Sequence, residues 1–152
     1  MVVVGRGNDV DLPRSGSVAL AALQAWGVGP DGLILRDGSG LSRYDYVTPE
    51  ALVTILTHID QQSSLKRPFE ESLPIAGRDG SLRNRMKSTA AEGNARAKTG
   101  SMSNVRGLSG FVTTADGEPL VFAILANNFE TTPDTINRTA DAIVVRLAEF
   151  KR

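Results

Sequence analysis

The segment Ala95-Arg96-Ala97-Lys98-Thr99-Gly100-Ser101-Met102-Ser103-Asn104 gathers an ammonium, three hydroxyls and a glycine within a short span. Such a set suits recognition of an anion: Lys98 supplies charge, and the hydroxyls of Thr99 and Ser101 can hold a carboxylate. Gly100 carries no Cβ, so a ligand backbone can approach this strand and pair with it as an added strand. The pattern predicts the wall of an acyl-transfer site.

Other chemistry-bearing residues are few. His58 is the one histidine, so a Ser-His-Asp triad has a single candidate base and a zinc site built on several imidazoles has none. It falls off the helical stripe Leu52, Ile55, Leu56 and Ile59, which predicts a solvent-side histidine. The absence of cysteine excludes disulfides, thiolate nucleophiles and cysteine-based zinc sites, and no metal or other cofactor is expected. Ser63-Ser64-Leu65-Lys66 has the Ser-x-x-Lys spacing, which activates a serine when that serine opens a helix and the lysine lies one turn on. Pro68 is expected to hold Arg67 out of helical geometry, in a connector running from 60 to 80, so the string reads as a coincidence.

The elements that must position these groups belong to one soluble globular domain of 152 residues, 41% hydrophobic and 22% charged. Lys plus Arg equals Asp plus Glu at 17 each, leaving no basic surplus to drive nucleic-acid binding, though a local basic patch stays open. The longest apolar run, Leu120 to Ala126, is strand-sized, so no membrane span is expected. The start lacks the features of a secretory signal.

Residues 1–14 read as a weakly ordered, Gly- and Asp-rich segment, and 15–152 as the domain. A helix capped by Ser15 or Ser17 carries Val18, Leu20, Ala21, Ala22, Leu23 and Trp26 inward and stops at Gly27. Leu33 to Leu35 is a short apolar strand or strand-like arm. The loop from Arg36 to Tyr44 is either a solvated connector or a structured binding loop. Thr48-Pro49-Glu50 opens the best-signalled helix. Leu82 to Lys87 is a short helix candidate whose Arg83, Arg85 and Lys87 form a solvated face, with attraction of an acidic ligand as the lesser alternative. A strand over 95–100 precedes a hairpin of 107–114 and 119–126 across Asp116-Gly117. Near-continuous hydrophobicity places the hairpin's second strand centrally in the sheet. Thr132-Pro133-Asp134 opens a final helix burying Ile136, Ala140, Ile143, Val144 and Leu147. The architecture is α+β, with an antiparallel sheet packed by helices and the Lys98 strand toward one edge.

Four blocks carry a family resemblance in their order: Asp37-Gly38-Ser39-Gly40-Leu41-Ser42-Arg43; Leu73-Pro74-Ile75-Ala76-Gly77 with Asp79-Gly80-Ser81-Leu82 and Arg85; Ala97-Lys98-Thr99-Gly100-Ser101; and Leu108-Ser109-Gly110-Phe111-Val112. The chain resembles the D-alanyl-D-alanine carboxypeptidase/endopeptidase family of DacB-type low-molecular-mass penicillin-binding proteins. The resemblance implies a penicillin-binding/β-lactamase-like transpeptidase fold and serine acyl transfer, with Ser-x-x-Lys, Ser-x-Asn and Lys-Thr-Gly motifs meeting in one cleft. It implies catalytic roles for Lys98, Thr99 and Gly100, with Lys98 giving charge and proton traffic and the Ser101 amide serving as one oxyanion-hole donor. Ser101 with Thr99 would bind a terminal carboxylate, Met102 and Ser103 would line the channel, and Leu41 and Arg43 would face the stem-peptide side chain. The implied ligands are peptidoglycan stem peptides and β-lactams, and the implied location is the periplasmic or extracytoplasmic cell envelope. Ser-x-Asn is missing, and in the family that motif and the nucleophile precede the matching region. The chain is therefore expected to be the C-terminal part of such an enzyme, inactive alone and completed by an N-terminal part. A non-catalytic binding module and a fragment without independent function are the alternatives. A sheet edge left open invites self-association into a homo-oligomer.

Overall fold

The computed structural model describes residues 12–152, with side chains in the first helix from Val18 onward. The expected weak order of residues 1–14 falls mostly outside the described residues. The chain divides into two compact units, Met1–His58 and Ile59–Arg152.

In the first unit, helix α1 spans Leu12–Ala25 and so begins ahead of both proposed serine caps. Gly27, at φ 98°, turns the chain out of it, as glycine alone does without strain. The anticipated inward stripe is narrower than expected: Leu23 is buried, whereas Val18, Ala21 and Ala22 are exposed. Strands β1 (Leu33–Ile34) and β2 (Tyr46–Val47) pair antiparallel and bracket the 35–45 loop. Helix α2, Pro49–Gln61, begins as its sequence dictates, with Thr48 Oγ1 accepting from the Ala51 amide at 3.1 Å. Leu52, Ile55, Leu56 and Ile59 are all buried on it. His58 is half-buried rather than solvent-side, its imidazole stacked 4.4 Å from the Trp26 indole.

The second unit is built on a three-stranded antiparallel sheet in the order β3-β4-β5, comprising Arg96–Met102, Val105–Thr113 and Pro119–Asn127. The β4–β5 turn follows Asp116-Gly117, with Gly117 in the left-handed region and Thr114 Oγ1 donating to Asp116 Oδ1. Helix α4, Pro133–Glu149, is capped by Thr132, whose hydroxyl oxygen accepts from the Thr135 amide. Ala140, Val144 and Ala148 on α4 join Ala97, Leu108, Val112 and Phe122 of the sheet, with Leu82 and Met86, in one core. Small residues on α4 let helix and sheet approach closely. Ile143, expected inside, is 43% exposed.

Three expectations for this unit need correction. The 60–80 connector contains helix α3, Ser63–Ser72, with Pro68 inside it. A proline removes one backbone donor from the ladder. The helix nonetheless continues through it, with the Leu65 and Lys66 amides donating to the Gln62 carbonyl in its first turn and Arg67 pairing with Glu71 across the proline. The helix expected over Leu82 to Lys87 is only a 3₁₀ turn, Gly80–Leu82, because Met86 and Ser88 sit at φ 58° and right-handed geometry cannot continue through them. Arg85 is not part of a solvated face: its guanidinium grips the Asp141 carboxylate on α4 at 2.7 and 3.0 Å, with both side chains under a fifth exposed. Lastly, among the described residues β4 lies between its two neighbours, β5 pairs with β4 alone, and Phe122 is the one buried residue of β5. The apolar run is not matched by burial on both faces in this sheet.

Candidate active site

Strand β3 owes its position to β4. The register pairs Lys98 with Ser109, Gly100 with Gly107 and Met102 with Val105, so these side chains share one face of the sheet. Ala97, Thr99 and Ser101 take the other face, where Ala97 is fully buried in the core. Two glycines on β4 behave differently. At Gly110 a Cβ would stand 2.0 Å from the Arg96 carbonyl oxygen, so the close approach of β3 requires glycine there. At Gly107 its tightest contact would be the tip of Leu125, at 3.2 Å, with the Gly100 backbone at an ordinary 3.9 Å.

The outer edge of β3 is divided. Along its first residues the segment Pro74–Ala76 pairs antiparallel: the Ala97 amide donates to the Pro74 carbonyl at 3.0 Å, and the Ala76 amide to the Ala95 carbonyl at 2.9 Å. Because strand groups alternate, the amides and carbonyls of Thr99 and Ser101 point outward in the same way as those of Ala97. Among the described residues no strand of this unit pairs with them. The edge is thus closed at Ala95–Ala97 and open from Thr99 to Ser101.

Around the open part, Lys98 Nζ donates to the Thr99 carbonyl at 2.7 Å, which folds the ammonium along the edge. Thr99 Oγ1 donates to Ser81 Oγ at 3.0 Å, on the 3₁₀ turn. That turn is anchored by buried Leu82, by the Gly77 amide on the Leu82 carbonyl, and by Asp79 Oδ1 accepting from the Ile75 amide. Gly100 would tolerate a Cβ, whose nearest atoms are Gly107 Cα and N at 3.8 Å, so the fold itself does not require glycine at this position. Ser103 and Asn104 form the turn to β4, with Asn104 at φ 54°. Arg106 holds this turn by donating to the Met102 and Val105 carbonyls while lying over the Phe129 ring at 5.8 Å.

Leu41 and Arg43 belong to the first unit, in a loop that is structured rather than a slack connector. Asp45 Oδ1 accepts from the Arg36 and Asp37 amides. Asp37 Oδ1 accepts from the Ser39 hydroxyl and amide, and these bonds hold the Asp37 carboxyl below the ordinary aspartate value. Leu41 and Arg43 are presented outward on this loop, with Leu41 66% exposed.

Ser63 does open a helix, contrary to the sequence expectation, with Lys66 one turn on. The string is nonetheless unsuited to general-base chemistry for a different reason. Lys66 Nζ lies 2.8 Å from Asp60 Oδ1, and the hydrogen bond and charge of Asp60 raise its pKa, holding it as an ammonium. Sequence reasoning had no view of Ser81 as a neighbour of Thr99, or of Pro74–Ala76 closing the edge. The Asp79-Gly80-Ser81-Leu82 string was visible, but not the fold that brings it beside β3.

An edge strand carrying Lys-Thr-Gly-Ser, with open backbone groups and an α4-backed sheet, defines a penicillin-binding type of architecture. The chain belongs to the D-Ala-D-Ala carboxypeptidase 3 (S13) family, whose sequence pattern matches residues 9–150. It is 45% identical over 134 residues to the D-alanyl-D-alanine carboxypeptidase of Actinomadura sp. (strain R39), covering 85% of this chain and 24% of that protein. Over 111 residues it is 39% identical to D-alanyl-D-alanine carboxypeptidase DacB of Haemophilus influenzae, covering 72% of this chain and 23% of that one. The crystal structure of penicillin-binding protein 4 (dacB) from Haemophilus influenzae superposes with a TM-score of 0.77 at 31% identity, over 90% of this chain and 32% of that chain. That protein has also been crystallised with a β-lactam. The chain spans about a quarter of the length of these curated relatives.

Proposed function

We propose that this chain provides the Lys-Thr-Gly wall of a serine-type D-Ala-D-Ala carboxypeptidase that acts on peptidoglycan stem peptides in the extracytoplasmic cell envelope and is acylated by β-lactams. In this reading Lys98 contributes charge beside the reacting carbonyl, Thr99 and Ser101 bind the terminal carboxylate, and the Ser101 amide donates to the developing oxyanion. Gly100 lets the peptide backbone approach, Met102 and Ser103 line the channel, and Leu41 and Arg43 meet the stem-peptide side chain. The observation that carries the reading is the open edge from Thr99 to Ser101, flanked by the Lys98 ammonium. A peptide strand laid antiparallel there gains backbone hydrogen bonds and charge together.

The nucleophile comes from an N-terminal part of the same enzyme, because the one Ser-x-x-Lys of this chain has its lysine bound to Asp60. That same ion pair favours, as a second reading, a module that binds D-Ala-terminated peptides without cutting them. Labelling with fluorescent penicillin separates the two. The chain alone is expected to take no label, and the chain with its upstream coding segment is expected to be acylated. An upstream sequence without Ser-x-x-Lys refutes the enzymatic reading. Saturable binding of a D-Ala-D-Ala peptide to the chain alone, lost in Lys98→Ala and without turnover, is the result that favours the binding module.

A further inference from the structure

The Pro74–Leu82 segment meets β3 twice, and the two meetings together define an end. Pro74–Ala76 occupies the strand edge at Ala95–Ala97, and Ser81 then reaches the hydroxyl of Thr99, the first residue with an open edge. A ligand strand added antiparallel to β3 advances its C-terminal end toward Thr99 and is stopped there. At that stop the Thr99 hydroxyl donates to Ser81 Oγ; because each hydroxyl rotates and carries one hydrogen and two lone pairs, the pair can share one hydrogen bond in either direction and still present one hydrogen to the ligand, from Ser81 or from Thr99. A hydroxyl that accepts one hydrogen bond donates another more strongly, so the pair suits a carboxylate. Ser81 cannot drift away, because its neighbour Leu82 is wholly buried and Pro74 packs against Gly80, where a Cβ would lie 3.0 Å from Pro74 Cγ.

We propose that Ser81 is a further ligand-binding residue, closing the blind end of the β3 edge and, coupled to Thr99, holding the free C-terminal carboxylate of the bound peptide. The inference rests on the proposed function and adds to it a physical basis for recognising a chain end. A peptide whose C-terminus is amidated offers no anion to the two hydroxyls and is selected against.

The test titrates the full chain with a D-Ala-D-Ala peptide and with its C-terminal amide, in the wild type and in Ser81→Ala, Ser81→Thr, Thr99→Val and the Ser81→Ala/Thr99→Val double variant. Ser81→Ala is expected to bind the free acid about tenfold more weakly, the loss of one hydrogen bond to a charged group. Its affinity for the amide should stay unchanged, and Ser81→Thr should restore acid binding. The double variant should be no weaker than the weaker single variant, since the hydroxyls act as a unit. Equal acid binding by wild type and Ser81→Ala overturns the proposal while leaving the function intact. If the wild type binds neither peptide, the β3 edge is not a binding wall in this chain and the carboxylate role of Ser81 fails with it. The side-chain coupling constants of Thr99 decide the remaining half: a single χ1 rotamer in the wild type that becomes averaged in Ser81→Ala supports the coupling, and no change refutes it.

Discussion

Two glycines on neighbouring strands should respond to the same substitution in opposite ways. In Gly110→Ala the new Cβ falls 2.0 Å from the Arg96 carbonyl oxygen and 2.7 Å from Ala97 Cα, both backbone atoms that cannot rotate away. The strands must part by about 1 Å or more before the contact becomes tolerable. Parting them strains the flanking pairs Arg96↔Phe111 and Lys98↔Ser109. Overpacking with weakened ladder bonds gives an expected loss of about 3 kcal/mol, or a melting midpoint roughly 10 °C lower. In Gly100→Ala the Cβ has ordinary contacts at 3.8 Å, and the stability should stay within about 0.5 kcal/mol of wild type. Its D-Ala-D-Ala peptide affinity should nevertheless fall about tenfold or more, because the methyl stands where the ligand backbone approaches. Urea unfolding followed by far-UV circular dichroism, with peptide titration on the same samples, reads both quantities. A Gly110→Ala variant as stable as wild type would show that β3 and β4 are not held at this spacing. Wild-type peptide affinity in Gly100→Ala would remove the reason for a glycine in the wall.

Arg85→Ala and Asp141→Asn should each destabilise the protein by about 2 kcal/mol, since either leaves a mostly covered charge or amide facing its lost partner; unfolding midpoints near wild type would contradict this. Asp116 has its carboxyl held below the ordinary value of 3.8 by the Thr114 hydroxyl first and the Arg152 amide second. A lowered folded-state pKa stabilises above the unfolded value and is lost as pH falls through the folded one, so the hairpin end should loosen only in acid below the normal aspartate range. The Gly117 amide resonance, followed against pH, checks this. Ser63→Ala should leave penicillin acylation of the enzyme completed by its upstream segment unaltered, and loss of label with an intact fold would make Ser63 the nucleophile.

Helices with explicit starts, α2 and α4, were legible because Thr-Pro-acidic triplets satisfy the first-turn donors through one local hydroxyl. The β4–β5 hairpin was legible for the same reason, its Asp-Gly turn being a local choice of backbone. Helix α3 was not, because Pro68 signals a break, yet the helix continues through it. The segment after Leu82 misled in the opposite direction: its helical composition is overridden at Met86, a core residue held at positive φ by tertiary packing. The apolar run of β5 reports what the strand can bury, whereas among the described residues it has β4 as its one neighbour. At the site, Lys98, Thr99, Gly100 and Ser101 were legible as a contiguous string. Ser81, Arg85 and Pro74–Ala76 act through contacts that only the fold creates.

The stacking of Trp26 on His58 has a use outside chemistry. The chain has a single tryptophan, so its indole emission comes from the first compact unit alone, and the imidazole against its face is a natural quencher that departs when α2 leaves α1. Backbone dichroism, by contrast, sums over both units. Overlaid fluorescence and dichroism curves therefore read the cooperativity of the molecule without any introduced label: one shared transition means that the units melt together, and two separated transitions give the order in which they yield.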